Sequence, residues 1–544
     1  MTEADIKTPT LEFKYKNIFV DLFSGFYRKH FERIVLVATS IISLLSYIYY
    51  YLNGLGLAYN DARSHLDISR RVVEGLKTGA AQLGSVWLPL PHVLMLPTVW
   101  NDFFWHSGLS GALVSMLSFI IVNYVIIRYL KEIGVSLGGR SVAVLIFILN
   151  INILYLQSTA MTELLLLATM MLGSYEVLLW CKNENILNLI KAAFYIMLST
   201  LVRYDGWFLL AFATIIVFVK SATSKNRFKV EGMLVFFLTL AGFGVFLWLL
   251  WNLIIFGDPL YFAFGPYSAH SQQTQLEQAG NLATKKDLIL SIRMYMYALI
   301  FNSQAYIVFL SFIGMLMIWT SKHLKKWTKI ATAALIAPLI FNIVALYLGH
   351  SVLFVQGVSG NTWFNVRYGI MLAPSIAIFV GYLIDKSRFT RPIILGTLAL
   401  TLFFFIKGGD AVTIDDARVG SSQKNVSEVS DYLKIHATNT SGFILISAAS
   451  HDAIIFSSGL PMKRFIHEGT GAYWKAATTL PDRWARWIVM RTNDDSDQTF
   501  RLIKSTPGFK RYKLVREYPF ADVYELKEAY LPFVQTQPVL KQEK

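Results

Sequence analysis

The sequence predicts a polytopic α-helical membrane protein of about eleven transmembrane helices, with further helices on the outer membrane surface and a small α/β domain at the C-terminus. Hydrophobic residues make up 54% of the 544 residues and charged residues only 16%, and the mean hydropathy is +0.47. A water-soluble core does not need so much apolar surface. Apolar runs of membrane-spanning length continue to about residue 407, after which the pattern changes to shorter alternating segments.

The distribution of charge indicates membrane surroundings. The net charge is +15, but the basic residues cluster in short loops between apolar runs, which is the pattern of cytoplasmic loops. The single cysteine, Cys181, excludes an intramolecular disulfide and a metal cluster of several thiolates. We therefore expect membrane lipids as surroundings, no nucleic-acid partner, and a location in the plasma or inner membrane of the cell.

The apolar runs divide the chain into three regions. Residues 1–33 form a basic N-terminal tail that is expected to stay in the cytoplasm, without a cleavable signal peptide. Residues 34–407 contain the crossings, and residues 408–544 form the extracytoplasmic domain. The expected crossings are 34–51, 109–129, 141–156, 163–180, 186–202, 207–219, 233–256, 306–320, 330–348, 368–383 and 392–405.

A proline-rich segment at residues 86–105 decides the topology. It is long enough to cross a membrane but is interrupted by Pro89, Pro91 and Pro97. A crossing here would turn the basic loops outward, against the positive-inside rule, so we expect a half-inserted or surface segment. The N-terminus is then cytoplasmic, and an odd number of crossings places the C-terminal domain outside.

The region after residue 408 alternates short β-rich runs with helical patterns. The β-rich runs lie at 443–446 and 487–490, and helical spacing is found at 426–435 and 497–504. This alternation is typical of a small α/β domain. The acidic pair Asp415-Asp416, just before it, is interpreted as part of a solvated linker.

A stretch rich in ionisable residues follows the first apolar run. Asn60 is a favourable N-cap and Gly75 a favourable residue after a helix end, so we expect a helix over 61–74. Asp61 and His65 share one face, and the helix dipole favours an ionised Asp61 in the first turn. A carboxylate kept charged at the lipid–water boundary is suited to be a general base for a membrane-bound substrate. The alternative is an ordinary solvated helix at the membrane interface, without a role in chemistry.

Other ionisable residues fall at the predicted outer ends of helices. Glu163 begins a helix in a tight turn, where an idle carboxylate would be costly. Arg203 lies in the next outer turn, and Arg367 lies in the last outer turn before the tail. Two carboxylates, Asp61 and Glu163, with two arginines around one cavity would suit an anionic lipid-phosphate donor and a hydroxyl acceptor.

Each of these residues also has a purely structural interpretation. Arg203 and Asp205 can form a local ion pair that closes a turn. Arg367 can stay at the membrane boundary by snorkelling. His65 and His92 are more often structural than metal ligands, and their spacing matches no two-histidine metal motif.

Short motifs along the chain occur in one particular order. They are Asp61-Ala62-Arg63-Ser64-His65-Leu66, Thr162-Glu163-Leu164, Val202-Arg203-Tyr204-Asp205-Gly206-Trp207, Phe256-Gly257-Asp258-Pro259-Leu260-Tyr261 and Val366-Arg367-Tyr368-Gly369. In this order, on a shared outer face and with an inside N-terminus, they resemble the C-type glycosyltransferase superfamily (GT-C). The resemblance is greatest to its protein O-mannosyltransferase and lipid A aminoarabinose transferase branches. It covers about residues 58–372, and the outer α/β tail fits the same layout.

The resemblance implies an inverting glycosyltransferase that moves a hexosyl or pentosyl group from a polyprenyl-phosphate carrier to a hydroxyl acceptor on the outer face. It implies that Asp61 is the base on the acceptor hydroxyl and that Glu163 is the second outer acidic residue. The remaining candidates, which bind donor phosphate or substrate or orient the acids, are Arg63, His65, Arg203, Asp205 and Arg367. Arginines can stabilise the leaving phosphate without a metal, so no cofactor is expected; a divalent metal is compatible but not indicated.

A transporter or lipid flippase with a substrate site on the outer face is the alternative. It predicts ionisable residues near the middle of the membrane and a path open to both sides. Few such residues fall within the predicted helix centres, and no internal repeat is evident. The tail and the proline-rich segment depart from the two named branches, so the acceptor and the sugar stay open.

Overall fold

The computed structural model describes residues 18–223, 227–265, 268–278, 280, 282–409, 411–419 and 423–540. Within these residues a helical membrane region is followed by a small domain built around one sheet. Residues 1–17 of the expected N-terminal tail lie outside the described residues. From Ile18 the chain is already helical and continues without a break into the first apolar segment.

Helices account for nearly all of the described membrane region. Their bounds are α1 Ile18–Leu52, α2 Asn60–Val73, α3 Leu90–Val99, α4 Asp102–His106, α5 Leu109–Glu132, α6 Leu137–Ile148, α7 Ile151–Leu156, α8 Glu163–Asn183, α9 Ile186–Thr200, α10 Asp205–Ser221, α11 Arg227–Ala241, α12 Phe243–Phe256, α13 Tyr261–Phe264, α14 Ala269–Gln278, α15 Leu288–Ser303, α16 Ala305–Thr320, α17 Lys326–Ala331, α18 Ala337–Tyr347, α19 Ala373–Lys386 and α20 Arg391–Gly408.

Several of these helices have the length and composition of membrane spans. Among the described residues six helices are long and apolar enough to cross, or up to eight if each of two bent pairs counts as one span. One pair joins α11 to α12 with a bend of 47°, and the other joins α15 to α16 with a bend of 109°. Gln304, between α15 and α16, has a left-handed φ of 67°. The multi-pass helical fold is confirmed, while the number of eleven crossings stays a prediction.

The proline-rich segment contains the short helix α3. Pro91 lies in its first turn, where a missing backbone N–H costs no intrahelical hydrogen bond, and Pro97 lies inside it. Ten residues give a helix about 15 Å long, about half the thickness of a hydrocarbon core. Such a helix is too short to cross alone, which agrees with the expected half-inserted or surface placement.

The C-terminal region combines helices with five strands among the described residues. Its elements are α21 Val412–Val419, α22 Gln423–Ala437, β1 Phe443–Ile446, α23 Ala448–Ser457, β2 Phe465–Ile466, α24 Ala472–Thr479, α25 Pro481–Trp484, β3 Ala485–Met490, α26 Gln498–Ile503, β4 Tyr512–Arg516 and β5 Asp522–Leu526.

The sheet is mixed, with the strand order β2-β1-β3-β5-β4. Strand β1 pairs in parallel with β2 and β3, whereas β5 is antiparallel to β3 and β4. All four side chains of β1 are buried, as a strand covered on both faces requires. The small α/β domain is therefore confirmed, and the β-rich runs expected at 443–446 and 487–490 are strands β1 and β3.

Helix α2 lies between the membrane helices and the C-terminal domain. It packs against α3 on one side and α23 on the other. Arg71 Nη1 donates to Asp452 Oδ1 at 2.8 Å, and Arg63 Nη1 donates to Ser457 Oγ at 2.9 Å. Helix α2 is therefore not an ordinary solvated helix, because it packs between two other elements and its Leu66 is fully buried.

Two acidic side chains meet where α2 packs against α23. Asp67 is fully buried, and its Oδ1 accepts a hydrogen bond from Trp105 Nε1 at 3.0 Å. Burial, and then the nearby charge of Asp452, raise the pKa of Asp67 well above its usual range. Burial raises the pKa of Asp452 to about 6, against the opposing effect of Arg71. The folded protein therefore binds protons here that the unfolded chain releases.

We predict that Asp67→Asn raises the stability of the protein at pH 8 and reduces its dependence on pH. Because both pKa values are raised by folding, the pair stabilises the fold at low pH, and this stability is lost as pH rises from about 4 through 6 and beyond. Each group contributes at most about 1.4 kcal/mol per pH unit while it titrates. The amide is neutral at every pH and keeps the acceptor for Trp105. Unfolding can be followed in detergent by labelling the single buried thiol of Cys181.

The control for this prediction is Asp431→Asn, which changes an exposed carboxylate on α22. We expect it to leave the pH profile of unfolding as in the unmodified protein. An unchanged profile in Asp67→Asn would show that the acidic pair does not govern this interface.

Candidate active site

Three helices begin at the same end of the membrane region, and each carries a carboxylate in its first turn. Asp61 lies in the first turn of α2, Glu163 is the first residue of α8, and Asp205 is the first residue of α10. The partial positive charge of a helix N-terminus favours the ionised form of such side chains. Helix α2 begins one residue earlier than expected, so Asn60 is helical and Tyr59 is the N-cap, without a side-chain hydrogen bond.

Arg367 joins carboxylates from distant parts of the chain. Its Nε donates to Glu163 Oε1 at 3.1 Å, and its Nη2 donates to Asp61 Oδ2 at 2.7 Å. Its Nη1 lies 3.7 Å from Asp416 Oδ2. The guanidinium is almost completely buried at the start of the 3-10 helix Val366–Leu372. A planar group with donors on several edges can hold three carboxylates at once, which an ammonium group cannot do with fixed geometry.

Arg203 enters the same cluster from the turn before α10. Its Nε lies 3.3 Å from Asp205 Oδ2, so the local ion pair suggested by the sequence does form. Its Nη1 also lies 3.4 Å from Glu163 Oε1 and 3.4 Å from Thr162 Oγ1. Glu163 therefore lies between two arginines, and the ion pair is one part of a larger network.

Two tyrosine rings cover the guanidinium groups. The Cζ atom of Arg367 is 4.9 Å from the ring centre of Tyr59 and 5.5 Å from that of Tyr368. The Cζ atom of Arg203 is 5.2 Å from the Tyr368 ring. Arginine over an aromatic face is stabilised by the ring quadrupole, most strongly where water is excluded. Neither tyrosine was identified as a site residue from the sequence.

The four carboxylates of the cluster differ in how far they can be reached from outside. The side chains of Glu163, Asp205 and Asp416 are 0%, 5% and 2% exposed, whereas that of Asp61 is 41% exposed. Glu163 Oε2 is buried without a hydrogen-bond partner. Within this cluster, Asp61 is thus the carboxylate that another molecule can contact, and the others form its buried support.

Arg63 and His65 lie on α2 but make their hydrogen bonds outside the cluster. Arg63 donates from Nε to the carbonyl of Leu57 at 2.9 Å and from Nη1 to Ser457 in the C-terminal domain. His65 Nδ1 lies 2.9 Å from His92 Nε2 in a buried pair. Burial, and then the charges of the two cluster arginines, lower the pKa of His65 to about 3, so its ring is neutral at physiological pH.

Among the described residues no group of three or more His, Cys, Asp or Glu side chains is placed to hold a metal ion.

Asp416 corrects an expectation from the sequence. The interpretation of Asp415-Asp416 as part of a solvated linker is wrong for Asp416, which is only 2% exposed. Its neighbour Asp415 is exposed, as expected. The reason is that α21 packs against α7 and the 3-10 helix that carries Arg367. Helical spacing contained the signal, because Asp416 shares a face with the buried residues Val412 and Thr413.

We predict that Arg367→Met destabilises the protein by about 3–5 kcal/mol, because removing one partner of a buried ion pair leaves Glu163 with only the 3.4 Å contact to Arg203. The double variant Arg367→Met with Glu163→Gln should lose less than the sum of the two single variants, since the amide no longer needs the cation. The matched control is Arg388→Met at an exposed position. Equal stability of Arg367→Met and Arg388→Met in the Cys181 labelling assay would contradict the role of this ion pair.

Structures of known proteins share this architecture. No protein-family model and no curated sequence matches the chain. ArnT from Cupriavidus metallidurans bound to undecaprenyl phosphate superposes with a TM-score of 0.55 and 9% identity, over 91% of this chain and 99% of that chain. The apo state of the same protein gives 0.53 and 9%, with the same coverage. The Archaeoglobus fulgidus oligosaccharyltransferase in complex with Zn and sulfate gives 0.50 and 11%, over 84% of this chain and 67% of that chain. The chain therefore shares the fold of these solved structures.

Proposed function

We propose that the protein is a membrane glycosyltransferase that moves a sugar from a polyprenyl-phosphate-linked donor to an acceptor hydroxyl, with Asp61 as the base. The observation that carries the proposal is the accessible carboxylate of Asp61, held through Oδ2 by a buried arginine at the start of a helix. The undecaprenyl phosphate named for the ArnT structure supports a lipid-phosphate donor. The sugar, hexose or pentose, and the acceptor, a glycan, lipid or protein, are left open.

The chemistry assigned to the site is a single displacement. Asp61 takes the proton of the acceptor hydroxyl while the hydroxyl oxygen forms a bond to the anomeric carbon of the sugar. The bond from that carbon to the phosphate oxygen breaks at the same time, so the configuration inverts and polyprenyl phosphate leaves with the electron pair. A phosphate leaves as a stable anion, and cationic side chains can stabilise the charge that it gains.

The two arginines are suited to different parts of this reaction. The guanidinium of Arg367 is only 8% exposed and is occupied by carboxylates, so we assign it to orienting Asp61. The side chain of Arg203 is 22% exposed, so we assign it to the donor phosphate. Glu163 lies between them and keeps both cations in place. Arg63 and His65, whose hydrogen bonds lie elsewhere, are not given a direct role.

We further propose that the cluster faces the outside of the plasma or inner membrane. The support is the concentration of basic residues in loops expected to lie on the cytoplasmic side. The C-terminal domain contacts α2, which carries Asp61, so the domain lies at the same end of the membrane region as the cluster. No observation favours the transporter or flippase alternative, which would release no polyprenyl phosphate.

We predict that Asp61→Asn abolishes transfer, lowering the turnover number at least about 100-fold, because the amide keeps the size of the side chain but cannot accept the acceptor proton. The full-length protein in liposomes is given a panel of undecaprenyl-phosphate-linked hexoses and pentoses with a membrane extract as the acceptor source. Release of undecaprenyl phosphate is measured. Full activity of Asp61→Asn on a donor that the unmodified protein consumes would exclude Asp61 as the base.

Asp431→Asn is the matched control for this experiment, since it makes the same chemical change at an exposed position on α22. It should release undecaprenyl phosphate at the unmodified rate. If the correctly folded protein released undecaprenyl phosphate from none of the donors in the panel, the proposed donor class would be wrong.

We predict that lysine substitutions separate the two arginines. Arg203→Lys should raise KM for the lipid-linked donor about tenfold, because lysine supplies the charge but not two parallel hydrogen bonds to phosphate. Arg367→Lys should lower kcat about tenfold with little change in KM, because one ammonium group cannot bridge Asp61 and Glu163 with the geometry of Nη2 and Nε. The opposite pattern of KM and kcat would exchange the two assignments.

A further inference from the structure

A short helical segment follows the last membrane helix and lies against the candidate site. We call this segment, α21 or Val412–Val419, the strap. Gly409, with a left-handed φ of 65°, is the C-cap of the membrane helix α20. The strap packs against α7 and against the 3-10 helix Val366–Leu372, which carries Arg367.

The strap is anchored by hydrogen bonds that do not involve Asp416. The backbone N–H and the hydroxyl of Thr413 both donate to Asn152 Oδ1, at 3.0 and 2.8 Å. Asn152 is itself buried and donates from Nδ2 to the carbonyl of Asn302 at 3.3 Å. The Tyr59 hydroxyl lies 2.8 Å from the carbonyl of Thr413. The position of the strap is therefore set by buried polar groups of the membrane region.

Asp416 makes three contacts around Arg367. Its Oδ1 accepts the backbone N–H of Asn365 at 3.1 Å, two residues before Arg367. Its Oδ2 lies 3.0 Å from the Tyr59 hydroxyl and 3.7 Å from Arg367 Nη1. The Tyr59 ring in turn covers the face of the Arg367 guanidinium. One carboxylate thus contacts the backbone before the arginine, the ring that covers it and the edge of the guanidinium itself.

From this arrangement we infer that Asp416 is a positioning residue for the proposed transfer: it fixes the rotation of the Arg367 guanidinium so that Nη2 points at Asp61. With Nε on Glu163 and Nη1 beside Asp416, Nη2 is the nitrogen left for the accessible carboxylate. Asp416 is 2% exposed, so it has no surface on which to bind a substrate. It acts on the reaction through Arg367 and Asp61.

A positioning role has a different kinetic effect from a binding role. Loss of the Asp416 charge leaves Nη1 of Arg367 without its carboxylate, and the guanidinium can then rotate away from Asp61. Small displacements of a reacting group lower the rate of the chemical step far more than they lower substrate affinity. The donor phosphate meets Arg203 in our assignment, so donor binding should be preserved. The inference rests on the proposed function, because it requires Asp61 to be the base.

The test is Asp416→Asn in the full-length protein, assayed with the panel donor that the unmodified protein consumes. The amide can still accept hydrogen bonds from Tyr59 or Asn365 but carries no charge. We expect kcat to fall about tenfold, KM for the donor to stay within about twofold, and binding of undecaprenyl phosphate itself to be unchanged. Asp415→Asn on the exposed side of the same helix is the matched control and should keep the unmodified kcat.

The outcomes separate this inference from the proposed function. An unmodified kcat in Asp416→Asn, an equal loss in Asp415→Asn, or a raised KM with unchanged kcat would overturn the positioning role. If Asp416→Asn does not fold, Tyr59→Phe removes the hydroxyl that contacts Asp416 and is measured instead. A lowered kcat at constant KM in that variant supports the role, and an unchanged kcat overturns it. Full transfer by Asp61→Asn would instead overturn the proposed function, whatever Asp416→Asn shows.

Discussion

The arrangement around the site depends on one buried cation. The Arg367 guanidinium contacts carboxylates of residues that are 306 and 204 positions away in the chain, Asp61 and Glu163. Glu163 has no exposed side-chain surface, and burying a carboxylate is costly unless cations and hydrogen bonds compensate it. The charges are therefore compensated only when α2, the start of α8 and the 3-10 helix before α19 pack together correctly. A buried ion pair of this kind gives little net stability, but removing one of its partners is costly.

The parts of this structure that could be predicted from the sequence are those determined by neighbouring residues. Glu163 begins α8 where the sequence placed a helix start, and β1 occupies the run of four apolar residues expected to be a strand. Membrane helices are readable because a long apolar run has few alternatives in a lipid environment. The element that each side of α2 contacts could not be predicted in the same way. Arg63 contacts the C-terminal domain, and this contact depends on how the domain packs against α2.

Asp416 shows a different limit of sequence reasoning. An acidic pair between a membrane helix and a small domain normally indicates a solvated linker. Burial of Asp416 requires the chain to return to the membrane region, where Asn152 binds the backbone of the strap. That return is a long-range event, since Thr413 of the strap and Asn152 are 261 positions apart. Solved structures share this fold at 9–11% sequence identity, so the fold does not require most of the individual side chains.

Helix α2 belongs to two parts of the molecule at once. Asp61 near its beginning is held by the membrane region, while Arg71 near its end is held by Asp452 of the C-terminal domain. A helix of 14 residues is about 21 Å long, and its backbone hydrogen bonds make it stiff over this length. A displacement of the C-terminal domain would therefore be carried along the helix to the carboxylate at the other end. The C-terminal domain and the accessible carboxylate are thus connected through a single helix, so a shift of the domain is expected to change the position of Asp61.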